Sequence, residues 1–233
     1  MIETAAGLVL RTRPLTETSL IIHWLTPTLG RLATVAKGAR RPKSPFRGKL
    51  DLFYLADFSF SRSRRSELHN LREVNVRETH AVLRRDLPSL QQAAYCAALV
   101  ESATETETPL PSLFHLVSGM LATLAAGNPQ ARTIFAFEIK LLDELGLTPD
   151  LSTARLSNGA KAVFEALGSS DWGRIAQLRL SGPQVSELRT FLHEFLVYHL
   201  GRVLAGRDSA LGLGRGAGPN LRVFVIEKGA ESA

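Results

Sequence analysis

The chain has 233 residues, 45% hydrophobic and 21% charged, with a formal net charge of +6. That composition belongs to a folded globular protein of one or two domains and excludes the disordered and collagen-like classes. Cys96, the single cysteine, excludes an internal disulfide and a multi-cysteine zinc site, the apolar runs fall short of the ~18 residues a membrane helix needs, and Met1-Ile2-Glu3-Thr4 lacks the opening of a signal peptide, so a cytoplasmic protein is expected.

Strand signals come first. Residues 6–13 alternate, with Leu8 and Leu10 on one face and Val9 and Arg11 on the other. Leu20, Ile22 and Trp24 lie two apart, and Thr26-Pro27-Thr28-Leu29-Gly30 carries turn residues. Leu32 to Lys37 reads as a returning strand. Residues 52–60 align Tyr54, Phe58 and Phe60, and residues 67–77 alternate again. About five short strands within roughly 80 residues predict a small antiparallel sheet or barrel. The segment Gly38 to Lys49, with two Gly and two Pro, reads as a mobile loop.

From about residue 81 the period becomes helical. Asp86, ahead of Leu87-Pro88, is a cap for a helix to about Glu101. Leu113, Leu116, Val117, Met120, Leu121 and Leu124 form one apolar face of a second helix, ended by Gly127. The third, Pro129 to Leu145, is apolar nearly all round and is expected at the centre of a bundle. Ser157 starts a short helix closed by Gly168. Ser181 with Gln184 is a capping box for a long helix to about Leu204, burying Val185, Leu188, Leu192, Phe195 and His199. Beyond it the chain is glycine-rich, and Leu221 to Glu227 looks like a lone strand. The expected class is α+β: a barrel over 1–80, helices over 81–206, and a Gly-rich tail over 207–233.

The charge is as uneven as the structure. Residues 1–80 hold 14 Lys/Arg and 7 Asp/Glu; the rest hold 14 and 15. Arg31, Lys37, Arg40, Arg41, Lys43, Arg47 and Lys49 follow one another with no acidic residue between them. Such a one-signed field attracts polyanions. Basic side chains that neutralise phosphates hold a nucleic-acid backbone without reading bases. Arg11 and Arg13 from the first strand, and Arg62, Arg64 and Arg65 before the last, are candidates to extend this surface. Phe46, the aromatic inside the basic loop, is either a base-stacking platform or an anchor pinning the loop to the barrel.

Signals for an enzyme are missing. There is no G-x-x-x-x-G-K-[ST] phosphate loop, and the alternating glycines near the end have the wrong spacing for a dinucleotide site. His193 and His199 miss the H-E-x-x-H spacing, and His23, His69, His80 and His115 are scattered. Cys96 sits in an apolar helix and reads as a small buried hydrophobe. No catalytic residue, cofactor or metal is expected.

Gly7-Leu8-Val9-Leu10-Arg11-Thr12-Arg13, Glu17-Thr18-Ser19-Leu20-Ile21, Gly30-Arg31, Val35-Ala36-Lys37-Gly38-Ala39-Arg40-Arg41-Pro42-Lys43-Ser44 and Phe46-Arg47-Gly48 follow in an order that resembles the N-terminal domain of the RecO family of bacterial recombination mediators. The likeness is strong over about residues 1–60. It is weaker at Phe137-Glu138, Leu141-Leu142 and Leu145-Gly146-Leu147-Thr148-Pro149-Asp150-Leu151, which resemble the family's central helix and its exit.

The resemblance implies a five-stranded OB-fold followed by a helical domain. It implies a non-enzymatic protein that binds single- and double-stranded DNA, anneals complementary strands, and acts with RecR to load RecA onto DNA coated by the single-strand binding protein SSB. It further implies that the acidic C-terminal tail of SSB docks on the helical domain, where Arg132 and Lys140, two turns apart, are the candidate clamp. Many relatives carry a four-cysteine zinc element after the Pro-Asp-Leu exit. Here Ser152-Thr153-Ala154-Arg155 stands in that place, so the element is absent near 151–156. Charge alone does not separate DNA from RNA, so an OB-fold RNA-binding accessory protein of ribosome assembly or translation is the alternative reading.

Overall fold

Period-two segments become strands and period-3.6 segments become helices in the computed structural model, which describes residues 2–127, 129–202 and 204–212. The strands are β1 (Ile2–Pro14), β2 (Leu20–Thr26), β3 (Gly30–Ala36), β4 (Leu55–Ser61) and β5 (Leu68–Glu78). They close into a barrel in the order β1-β2-β3-β5-β4. All pairings are antiparallel except β3 with β5. This is the OB-fold arrangement, and closure leaves no open sheet edge.

Val9, Ile22, Trp24, Leu32, Phe58, Phe60 and Val74 fill the barrel. Trp24 stacks on Phe58 with ring centroids 4.1 Å apart, and its indole N–H donates to Thr34 Oγ1 at 2.9 Å. Leu8, Leu10 and Leu25 face the other way and join the helical core. β1 is therefore buried on both sides from Gly7 to Leu10. One expectation fails here. Val9 pairs with Trp24, but the next ladder pair is Arg11 with His23, because the register slips at Leu10. The bulge moves Arg11 off the inward face of Val9.

A 3-10 turn, Ala81–Arg85, leads into α1 (Leu87–Ala103), α2 (Pro111–Ala125), α3 (Ala131–Glu144), α4 (Asn158–Ser169), α5 (Trp172–Gln177), α6 (Gly182–Leu200) and α7 (Arg207–Ala210). Asp86 caps α1 by accepting from the Ser89 N–H at 2.9 Å. α3 is central as expected: α1, α2, α4, α5 and α6 all touch it. The linker after α1 also pairs with the barrel. Thr106 bridges to Arg31, and the Glu107 N–H donates to the Arg31 carbonyl at 2.7 Å. Gly30 fits beneath this linker at φ +68, where an added Cβ would come within 2.1 Å of the Thr108 carbonyl oxygen.

The end of the chain departs from the sequence reading. α6 stops at Leu200 because Gly201 adopts the left-handed conformation. Its buried face is Leu188, Leu192 and Leu196; Phe195 is half-buried and His199 exposed. The expected Gly-rich tail is in part a piece of the bundle: Arg207, Ala210 and Leu211 are buried. Arg207 meets Glu138 of α3 with Nε at 2.7 Å and a terminal nitrogen at 2.8 Å, and Tyr95 of α1 donates to the same carboxylate at 2.6 Å. The glycines beyond Gly212 and the strand expected over Leu221–Glu227 lie outside the described residues.

Leu151 to Leu156 forms turns, and both leucines pack on the helical core. Ser157 then caps α4 and bonds Glu187 of α6 through its N–H at 2.7 Å and its hydroxyl at 3.1 Å. Ser152, Thr153, Ala154 and Arg155 offer no thiolate, so a four-cysteine zinc site does not fit this chain.

Candidate nucleic-acid interface

The structure sorts the basic residues into three groups. The first is the segment after β3. Lys37, Arg40, Arg41, Lys43 and Arg47 are exposed and Lys49 is half-buried. Among the described residues none of the six meets a carboxylate within ion-pair distance. The segment is a chain of turns rather than an open loop. The Ser44 N–H donates to Arg41 at 3.0 Å and the Lys49 N–H to Phe46 at 3.0 Å, while the Arg40 N–H ties it to Thr18 at 2.9 Å. Phe46 is 7% exposed and belongs to the barrel core. The stacking-platform reading of Phe46 is therefore corrected to the anchor reading, because a buried ring has no face to offer a base.

The second group lies on the outer face of the barrel, against α1. Arg11 and His23 are cross-strand neighbours, as are Arg13 and Ile21. Glu101 of α1 faces them, 3.3 Å from an Arg11 terminal nitrogen and 3.2 Å from His23 Nδ1. Arg31 is a seam residue: its Nε donates to Thr104 Oγ1 at 2.6 Å and a terminal nitrogen to the Thr104 carbonyl. Burial lowers the pKa of Arg31 and of Arg13, where Arg11 adds to the effect. Burial also draws His23 below its ordinary value, with Arg13, Arg11 and Arg31 in the same direction and Glu101 opposing.

The third group sits in the turn between β4 and β5. The parallel pairing of Ala33 with Leu68 puts this turn at the Arg31 end of β3, away from the basic loop. Arg64 and Arg65 are exposed there. Arg62 is bound by Glu3 at 2.8 Å and Glu107 at 2.9 Å. The hydrogen bond with Glu3 holds its guanidinium above its ordinary range, and its charge is met within the protein. The surface expected to run from the loop to Arg62 is thus interrupted, since those residues flank opposite ends of β3.

Arg132 and Lys140 do not converge. A terminal nitrogen of Arg132 donates to the Ala176 carbonyl at 2.7 Å, and Lys140 Nζ to the Gly168 carbonyl at 2.6 Å. Each cation meets the C-terminal end of a neighbouring helix, where the dipole favours positive charge. Sequence reasoning passed over His23, Glu101 and Arg202, which border one cavity with Arg11, Arg13 and Arg31. Nothing local marks them. Glu101 and Arg202 come from the helical half, whose near-zero net charge draws no attention. His69, read as scattered, is buried and 2.6 Å from Glu107. Its Nδ1 accepts from the Ser63 N–H, so Nε2 donates to the carboxylate. Cys96 is buried, and burial pushes its thiol well up.

A closed five-stranded barrel joined to a helical bundle defines an OB-fold protein with a helical second half. Residues 1–80 match the family described as Recombination protein O N terminal, and residues 84–154 match Recombination protein O C terminal. The chain belongs to the RecO family. A DNA repair protein RecO of Exiguobacterium sibiricum is 32% identical over 164 residues, covering 70% of this chain and 65% of the relative. One of Rhodopirellula baltica is 33% identical over 143 residues, covering 61% and 53%. One of Desulforamulus reducens is 26% identical over 232 residues, covering 85% and 90%. The match thus spans less than two thirds of the first two relatives and most of the third. Among the described residues no helix is long and apolar enough to cross a membrane.

Proposed function

We propose that this protein is a recombination mediator of DNA repair. It binds single- and double-stranded DNA through phosphates, anneals complementary strands, and works with RecR to help load RecA onto SSB-coated single strands. It acts by binding, with no covalent step. The observation that carries this reading is the loop of six cations that, among the described residues, form no ion pair, beside the barrel of an OB-fold. Two strands repel each other through their phosphates, and a basic surface lowers that repulsion. The names of the relatives favour DNA over RNA. Arg132 and Lys140 are the candidate rim for the acidic SSB tail, tested by tail binding to the Arg132→Ala, Lys140→Ala double variant.

With about six phosphate contacts, log K for single-stranded DNA should fall against log salt with a slope near about −4. Replacing Arg40, Arg41 and Lys43 together by Ala should flatten that slope by about 2 and slow the annealing of SSB-coated strands. A salt-insensitive complex, or unchanged affinity in the triple variant, would sink the reading.

A further inference from the structure

We infer that the cavity between the barrel and α1 is a phosphate-binding pocket for a DNA strand, built by Arg11, Arg13, Arg31 and Arg202 around the carboxylate of Glu101. The inference rests on the DNA-binding reading and adds a second, internal contact site to it.

The cavity has a volume of about 560 Å³, within the range of small-ligand sites. Four guanidinium groups and His23 border it, against one carboxylate. That carboxylate satisfies the cluster incompletely. Among the described residues Arg13 Nε is buried without a hydrogen-bond partner. Glu101 Oε1 is likewise unpartnered, since it lies close to His23 Nδ1 without hydrogen-bond geometry. A buried donor left unpaired is costly, and a tetrahedral oxyanion supplies several acceptors to such a cluster at once.

Position selects the occupant. The outer face of the barrel carries Arg31, then the row of Arg11 and His23, then Arg13 beside Ile21 and Val35. Lys37 and the basic loop follow directly after β3. At about 3.3 Å per residue, Arg31 to Lys37 spans roughly 20 Å, long enough for several phosphates of one strand. A strand held by the loop would reach the cavity by running along β3 from Lys37, past Arg13, to Arg11 and Arg31. Glu101 stands in this path as an internal anion that holds Arg11 and His23 in place and competes with the incoming phosphate.

The experiment measures binding of a fluorescent oligothymidylate to the full chain across a salt series, with folding checked by circular dichroism. The proteins are the wild type, Arg13→Ala/Arg202→Ala, Glu101→Gln and the loop variant Arg40→Ala/Arg41→Ala/Lys43→Ala. The pocket predicts that Arg13→Ala/Arg202→Ala flattens the salt slope by about 1.4 and weakens binding about tenfold. It predicts that Glu101→Gln tightens binding several-fold, a change that loss of structure does not produce. A weakened loop variant with an unchanged pocket double variant overturns the pocket and leaves the DNA reading standing. Unchanged binding in both overturns both. Weakened or unchanged binding by Glu101→Gln removes its role as competitor and overturns the assignment. Inorganic pyrophosphate separates the sources: if it raises the wild-type melting temperature but not that of the pocket variant, while DNA affinity is equal in the two, the pocket takes a free anion and the DNA assignment falls.

Discussion

Two residues show how much a single side chain decides. Arg207 is 3% exposed and its partner Glu138 is fully buried, joined by two hydrogen bonds. Burial opposes the charge on Arg207, but the bonds to Glu138 outweigh it and hold the guanidinium protonated. Removing one partner strands the other charge away from water. Arg207→Ala or Glu138→Ala is therefore expected to lose about 3–5 kcal/mol in urea denaturation. His23 gives a pH test. Its folded-state pKa lies below its ordinary 6.5, chiefly from burial. The unfolded chain thus binds more protons than the folded one between those two values. Stability is full above 6.5, falls as pH drops through that window, and levels off below the folded-state pKa. The fall in denaturation midpoint between neutral and mildly acid pH should be smaller in His23→Gln.

At the scale of elements, the basic segment after β3 is the informative case. Glycine, proline and charge marked it as a mobile loop, and it carries neither helix nor strand but a series of hydrogen-bonded turns. The same signals missed its turns and left the role of Phe46 open between platform and anchor, because the ring reaches a core assembled from all five strands. If the ring anchors the loop, volume matters and aromaticity does not. Phe46→Ala should cost about 3–5 kcal/mol and weaken DNA binding. Phe46→Leu should stay within roughly 1.5 kcal/mol and bind DNA within twofold of the wild type; a large loss with Leu would restore the stacking role. Helix caps were the other readable feature. Asp86, Ser157 and the Ser181–Gln184 box all cap where the sequence places them, since capping depends on neighbours within about four residues. α7 escaped notice because four residues carry no period, and tertiary burial holds them in place.

For the whole molecule, the seam between barrel and helices is the main finding. Leu8, Leu10, Leu25 and Phe53 share one core with α1, α2 and α3, so neither half buries its apolar surface alone. Unfolding is expected as one transition. Trp24 reports on the barrel once Trp172 of α5 is replaced by Phe, and far-UV dichroism reports mainly on the helices. Their midpoints should coincide, and separated midpoints would show independent halves. By itself, the sequence determined the five strands and the five longer helices α1, α2, α3, α4 and α6, the central place of α3 and the concentration of positive charge in the first 80 residues, because these depend on local period and composition. It also carried the family likeness. Only the tertiary structure decided which cations stay unpaired, that Arg62 is met by Glu3 and Glu107, and that Arg202 and Glu101 join Arg11 and Arg13 in one cavity. Those outcomes depend on distances between residues far apart in the chain, and chain closure sets such distances without leaving a local pattern.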